Sequence, residues 1–70
     1  MNDEQIRQRL SNGFHPFQLH LTNGRKIEVP HPDFIAVRDG TVAVLGENGI
    51  ASIIDALHVV SIDDLPATRP

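Results

Sequence analysis

The sequence predicts a mainly β fold with one short N-terminal helix, which we expect to form a small five-stranded antiparallel barrel. Runs of alternating apolar and polar residues lie on both sides of Asn23-Gly24, a pattern typical of a β-hairpin. The rest of the chain repeats the order of strand, tight turn and strand, and antiparallel strands joined in this way usually curl into a barrel.

The length and composition predict one small domain that is stabilised by association. The chain has 70 residues and no cysteine, so it buries about 60% of its unfolded surface and has no disulfide to compensate. Small domains with low stability are commonly stabilised by burying surface against another copy, so we expect a homo-oligomer. Residues 1–65 are expected to form the domain, and residues 66–70 a mobile tail.

The charge balance argues against a domain built to hold a nucleic-acid backbone. Six Lys and Arg against nine Asp and Glu give a formal net charge of −3, whereas such domains are usually basic. No apolar run reaches membrane-spanning length, and no charged-then-apolar leader precedes the domain. We therefore expect a cytoplasmic protein with no membrane partner.

The first element is expected to be a helix over residues 3–11. Asn2 is a suitable N-cap, and Ile6 and Leu10, four residues apart, share one helix face. Asn12-Gly13 supplies a left-handed end. Because so short a helix is unstable alone in water, its apolar face must pack on the rest of the domain.

Six segments have the composition expected of strands: residues 17–21, 25–29, 34–38, 41–45, 50–54 and 58–62. In the first hairpin, a three-residue loop, Thr22-Asn23-Gly24, gives a consistent register, whereas a two-residue loop would pair apolar with polar residues. The consistent register places His20 and Lys26 on the outward-pointing side of this hairpin. It gives the inner face four apolar residues, which are Phe17, Leu19, Ile27 and Val29.

Turn signals separate the later strands. Pro30-His31-Pro32 contains two residues without an N–H, so we expect a bend or bulge there. Asp39-Gly40 predicts a two-residue hairpin turn that sets Val37 opposite Val42. Asp55 is expected to cap a single helical turn before the last strand.

Two strand segments are apolar at nearly every position, residues 34–37 and 41–45. Neither face of these strands therefore has the composition of a solvent-exposed face. One face is expected to fill the barrel. The other is expected to be covered by the N-terminal helix, by a neighbouring subunit, or by both.

The order of helix, bent antiparallel meander, single helical turn and short final strand resembles the Sm-like (Hfq-like) small barrels. The matching stretches are residues 19–27, with their Asn-Gly, and residues 55–62. In that family the fourth strand of one subunit pairs with the fifth of the next to make rings, and a Lys-His pair before the last strand binds RNA. Here that turn reads Asp55-Ala56-Leu57-His58, with an acid and no lysine. The resemblance thus implies the architecture more than RNA binding.

A second resemblance is to short uncharacterised bacterial proteins with a Pro-Phe-x-x-His-Leu-x-x-Gly-Arg opening and a His-Pro-Asp/Glu-Phe segment. The matching stretches are residues 16–25 and His31-Pro32-Asp33-Phe34. This resemblance implies a bacterial protein and membership of that group, without implying a mechanism.

Residues that carry catalytic chemistry form no compact motif. Imidazole with a carboxylate from Asp33 or Asp55 suits zinc, but the histidines, His15, His20, His31 and His58, have no metal-ligand spacing. No serine lies in a nucleophile-elbow context, and a barrel this small has little room for an enclosed pocket. We predict no catalytic residue, no metal ligand, no cofactor and no small-molecule substrate.

Four residues near turns are candidates for RNA binding: His20, Arg25, Lys26 and Arg38. Single strands are held by a basic groove with stacking rings, but the chain has no Tyr or Trp and the three Phe are expected in the core. We therefore predict a non-enzymatic interaction or scaffold module that self-associates through strand edges and apolar outer faces. The alternatives are an Sm-like RNA-binding protein and, third, a metal-dependent activity.

Overall fold

The computed structural model describes residues 1–11, 13–46 and 48–66, and it is mainly β with one short helix. The elements in chain order are α1 (Asp3–Gln8), β1 (Phe17–Leu21), β2 (Lys26–Val29), β3 (Ile35–Arg38), β4 (Thr41–Leu45), β5 (Ala51–Asp55) and β6 (Val59–Asp64). Two 3-10 turns, Pro32–Phe34 and Ala56–His58, precede β3 and β6. The predicted tail lies outside the described residues from position 67 onward.

The six strands form two antiparallel sheets of three strands each. Sheet A has the order β2-β1-β6, and sheet B has the order β3-β4-β5. In the described part of the chain these sheets do not close into the expected five-stranded barrel. The ladder is interrupted between β2 and β3, where Pro30 and Pro32 have no N–H to donate and a 3-10 turn begins at Pro32.

Helix α1 begins where predicted and ends early. The side chain of Asn2 accepts a hydrogen bond of 2.9 Å from the N–H of Glu4. After Gln8, the next three N–H groups bond to carbonyls three residues back, so the last turn tightens to 3-10 geometry. Gly13 is left-handed, with φ of 85°, while Asn12 lies outside the described residues. No helix in the described ranges is long and apolar enough to cross a membrane.

The predicted register of the first hairpin is confirmed. Phe17 lies opposite Val29, and His20 lies opposite Lys26. The N–H of Leu21 donates to the carbonyl of Arg25 at 2.9 Å, so the loop between these two residues has the expected three residues. The last of them, Gly24, has a positive φ of 88°. Burial alternates along β1, with every second residue buried, as in a strand that has one face in the core.

The second hairpin also has the predicted register, with Val37 opposite Val42. Asp39 and Gly40 have φ values of 51° and 79°, as a two-residue turn matching the strand twist requires. Beyond this hairpin, β5 pairs with β4 so that Asp55 lies opposite Thr41.

Both expected irregular turns are present. His31 caps the first, its Nδ1 accepting a hydrogen bond of 3.3 Å from the N–H of Asp33. Asp55 caps the second, its Oδ1 accepting from the N–H of Leu57 at 2.9 Å. The first turn includes Phe34, so β3 starts one residue later than expected.

The core lies between the two sheets and includes one side chain of α1. Its buried members are Ile6, Phe17, Leu19, Leu21, Val29, Ile35, Val42, Val44, Ala56 and Val59. The expectation that all three Phe belong to the core is wrong for Phe34, which is 37% exposed. The 3-10 turn places this ring outside the alternation of β3.

Candidate functional site

The strongest candidate is the surface of sheet B that points away from the core, which we call the outer face. Since side chains alternate along a strand, the residues between the buried ones share this side. They are Ala36 and Arg38 of β3, Thr41, Ala43 and Leu45 of β4, and Ala51, Ile53 and Asp55 of β5.

Five of the eight residues of the outer face are apolar, and the two largest of them are open to solvent. Ile53 is 72% exposed and Leu45 is 49% exposed. Helix α1 contacts β3, but its Ile6 packs in the core between the sheets. The helix therefore does not cover this face, contrary to one of the two coverings expected from the sequence.

Shallow grooves run along the outer face on both sides of its centre. One, of about 360 Å³, is lined by Ala36, Arg38 and Ala43 among others. The other, of about 210 Å³, lies beside Phe34 and Leu45. The exposed ring of Phe34 thus extends the apolar surface beyond the strands.

One end of the outer face carries opposite charges at its two edges. Arg38 and Asp55 both lie opposite Thr41, on β3 and β5 respectively. The Nε atom of Arg38 lies 3.6 Å from Oδ2 of Asp39, and both side chains are about nine-tenths exposed. A pair so exposed contributes little to stability, so this guanidinium is available to another partner.

Three of the four RNA-binding candidates lie together on the first hairpin. His20 and Lys26 are directly opposite each other, and Arg25 precedes Lys26. The Nε2 atom of His20 lies 2.7 Å from Oδ2 of Asp63, although the two are not aligned for a hydrogen bond. A carboxylate of sheet A therefore lies directly beside the His20 ring.

Arg25 lies between two clefts. One, of about 380 Å³, is bordered by Lys26 and by residues of β4 and β5. The other, of about 410 Å³, is bordered by the hairpin loop, Asp55 and His58. Arg38 lines neither cleft, so the structure does not gather all four candidates into one site.

The histidines are not assembled into a metal centre in the described ranges. There, no three His, Asp or Glu side chains lie close enough together to hold a metal ion. The Nδ1 atom of His31, which accepts from the N–H of Asp33, lies 3.6 Å from Oδ2 of the same residue, and Nδ1 of His58 lies 3.5 Å from the hydroxyl of Thr22.

The sequence predicted a second apolar face on residues 34–37 and 41–45 but did not predict the part of that face contributed by β5. Sequence reasoning considered Asp55 as a cap and as a metal-binding carboxylate, and it gave Ile53 no role. Both positions follow from the β4–β5 register, which the longer loop before β5 does not specify. The available signal was that residues 50–54 are apolar at every position except Ser52, so that both faces of this strand carry apolar side chains.

The chain matches no protein-family model, and no curated protein or solved structure is significantly similar to it. Function therefore has to be inferred from the surfaces that the residues themselves form.

Proposed function

We propose that this protein is a non-enzymatic interaction module that associates with copies of itself. The observation that carries the proposal is the outer face of sheet B, on which the 72% exposed Ile53 and the 49% exposed Leu45 lie together with Ala36, Ala43 and Ala51. Single exposed apolar residues are ordinary, but a contiguous patch marks an interaction surface. A core of ten buried hydrophobic residues also gives so small a domain reason to bury more surface.

Open strand edges support association as well. β5 is an edge of sheet B, and β6 is an edge of sheet A. Unpaired edges present backbone donors and acceptors to other chains. If β2 and β3 are counted as one strand bent at residues 30–34, the two sheets become a single five-stranded sheet. The two edge strands of that sheet are β5 and β6. This view supports an Sm-like architecture, in which such edges join neighbouring subunits.

Sedimentation equilibrium tests the proposed association. We expect a mass above the 7.7 kDa of one chain, rising with protein concentration up to roughly millimolar. A monomer mass over the whole range would refute the proposed function.

The variant Ile53→Asn tests whether the outer face is responsible. We expect the dissociation constant to rise at least about tenfold, because the most exposed apolar side chain of the outer face is replaced by a polar one. Val60→Asn is the matched control, since Val60 is similarly exposed at 61% but lies on sheet A. Equal effects of the two variants would point away from the outer face.

A second candidate function is binding of single-stranded RNA at the first hairpin. It is favoured by the position of Arg25, which borders two clefts, with the exposed Lys26 next to it. Against it, Asp55 borders one of these clefts, and the net charge is −3.

The RNA candidate predicts weak binding that falls steeply as salt rises. Arg25→Ala with Lys26→Ala should reduce the affinity about tenfold or more and lower the salt slope by about two. Arg7→Ala, which removes an exposed charge from α1, is the control and should reduce binding less. Fluorescence anisotropy of a labelled single strand measures both, and no binding at low salt would end this hypothesis.

A further inference from the structure

We propose that two copies dock face to face through the outer face of sheet B, about a two-fold axis parallel to β4, so that Arg38 of each copy lies opposite Asp55 of the other. This inference rests on the self-association proposed above. It adds the occupant of the face, the symmetry of the dimer and the charged pair that fixes its orientation.

The strand order defines what such an axis does. β4 is central in sheet B, with β3 on one side and β5 on the other. Rotation by 180° about a line along β4 stacks the two outer faces, preserves the direction of the strands and lays β3 of each copy over β5 of the other. The resulting interface is isologous, so each contact occurs twice. Stacked sheets of this kind pack about 10 Å apart, with strands within about 30° of parallel.

The apolar rows of the face are complementary under this rotation. Ala36, Ala43 and Ile53 lie opposite one another across the sheet. In the dimer, the exposed Ile53 of one copy therefore meets the small Ala36 of the other, while Ala43 meets Ala43 at the axis. A large side chain opposite a small one at both flanks lets the two layers interdigitate.

The next row repeats the pattern. Leu45 lies opposite Ala51, and Phe34 borders the groove on the other side of Leu45. Rotation sets the ring of Phe34 over Ala51 of the other copy. This gives Phe34 a partner, although it is left outside the core of its own chain.

The charged row selects this axis over the other one that stacks the faces with their strands aligned. In the row Arg38, Thr41 and Asp55, the cation is on β3 and the anion is on β5. The axis along β4 places each cation over an anion. An in-plane axis across the strands would instead lay the charged row over the apolar row of Leu45, which costs desolvation without pairing.

The size of the face predicts a weak dimer. A standard interface buries about 800 Å² per partner, which is about one-sixth of this chain's accessible surface of 4768 Å². Three strands of four or five residues and the ring of Phe34 supply less than that. We therefore expect a dissociation constant at about the micromolar level or above.

Charge variants studied by sedimentation equilibrium test the pairing. Arg38→Glu should raise the dissociation constant about tenfold or more, because each pair becomes repulsive and occurs twice. Adding Asp55→Asn to Arg38→Glu should recover several-fold of this loss, since it removes the repelling carboxylate, and asparagine still caps the turn. Thermal melts establish that each variant is folded.

Asp39→Asn added to Arg38→Glu is the matched control. It removes the same charge from the neighbouring carboxylate, at a left-handed position that asparagine tolerates, but Asp39 lies in the turn and not on the outer face. We expect it to restore no association. Rescue by Asp55→Asn alone supports the proposed dimer.

Other outcomes separate the two proposals. The face-to-face dimer is overturned if Arg38→Glu does not change the dissociation constant, or if Asp55→Asn and Asp39→Asn restore association equally. Self-association would then still hold, and pairing of strand edges would explain it. The face-to-face dimer is also overturned if the mass of these variants exceeds that of a dimer and keeps rising with protein concentration. A monomer under all conditions overturns both proposals.

Discussion

Replacing Phe17 with alanine is expected to lower the free energy of unfolding by about 3–5 kcal/mol. Its side chain is completely buried, its ring centroid lies 5.7 Å from that of Phe14, and the guanidinium of Arg9 lies 5.4 Å above the ring. A domain of this size has a total stability of about 4–10 kcal/mol. The variant therefore loses about a third or more of its stability, and near the lower limit of the total it is unfolded at 25 °C.

The matched control is Phe34→Ala, because the same side chain is 37% exposed there. Removing this ring should cost the monomer less than about 1 kcal/mol. Urea denaturation followed by circular dichroism, at protein concentrations too low for association, measures both losses. If the two variants lost equal stability, Phe34 would belong to the core after all.

The two variants also separate folding from association. Phe17 lies between the sheets, so its loss acts on the folded monomer. Phe34 borders the outer face, so its loss should instead raise the dissociation constant of the proposed dimer. Since association stabilises the folded state by mass action, the melting temperature of the unaltered protein should rise with concentration more than that of Phe34→Ala.

Local features of the fold were predictable from the sequence because they are fixed by neighbouring residues. The register of the first hairpin follows from a period of two and the loop that ends at Gly24, since a slip by one residue would invert both faces. Asp39-Gly40 fixes the second hairpin in the same way. The cap at Asp55 also requires nothing beyond the residues next to it.

Features that depend on distant parts of the chain were not predictable. β6 pairs with β1, and the register of this pair shifts between His20 and Leu21. The shift leaves Val60 as a bulge, which no pattern in the neighbouring residues predicts. The end of α1 depends on how Leu10 packs against the core. The interruption between β2 and β3 was expected as a bend, but its effect on barrel closure was not.

The candidate site shows the same division. A run of apolar residues in β3 and β4 was enough to predict a second apolar face, which lies exposed on sheet B. The basic residues were grouped by their proximity to turns, and this grouping failed for Arg38, which lies on β3 and borders neither of the clefts beside Arg25. Which turns meet in space is decided by packing and not by sequence position.

A second large effect is expected at the junction of α1, the β3–β4 turn and the second 3-10 turn. The N–H of Gly40 donates to Oδ2 of Asp3 at 2.7 Å, and its carbonyl accepts from the N–H of Ala56 at 2.8 Å. One turn residue thus joins three elements that are far apart in sequence. Asp3 is half-buried, so this hydrogen bond to a charged acceptor is partly shielded from water.

Asp3→Ala should therefore lower the free energy of unfolding by about 1.5–3 kcal/mol, because the N–H of Gly40 is left without its acceptor. Glu4→Ala is the control: Glu4 is also in the first turn of α1 but is exposed, and its loss should cost about 0.3–1 kcal/mol through the helix dipole alone. Urea denaturation gives both values, and amide hydrogen exchange at Gly40 should accelerate in Asp3→Ala but not in Glu4→Ala. Equal losses with unchanged exchange at Gly40 would show that Asp3 acts through the dipole and that α1 is held by Ile6 rather than by this junction.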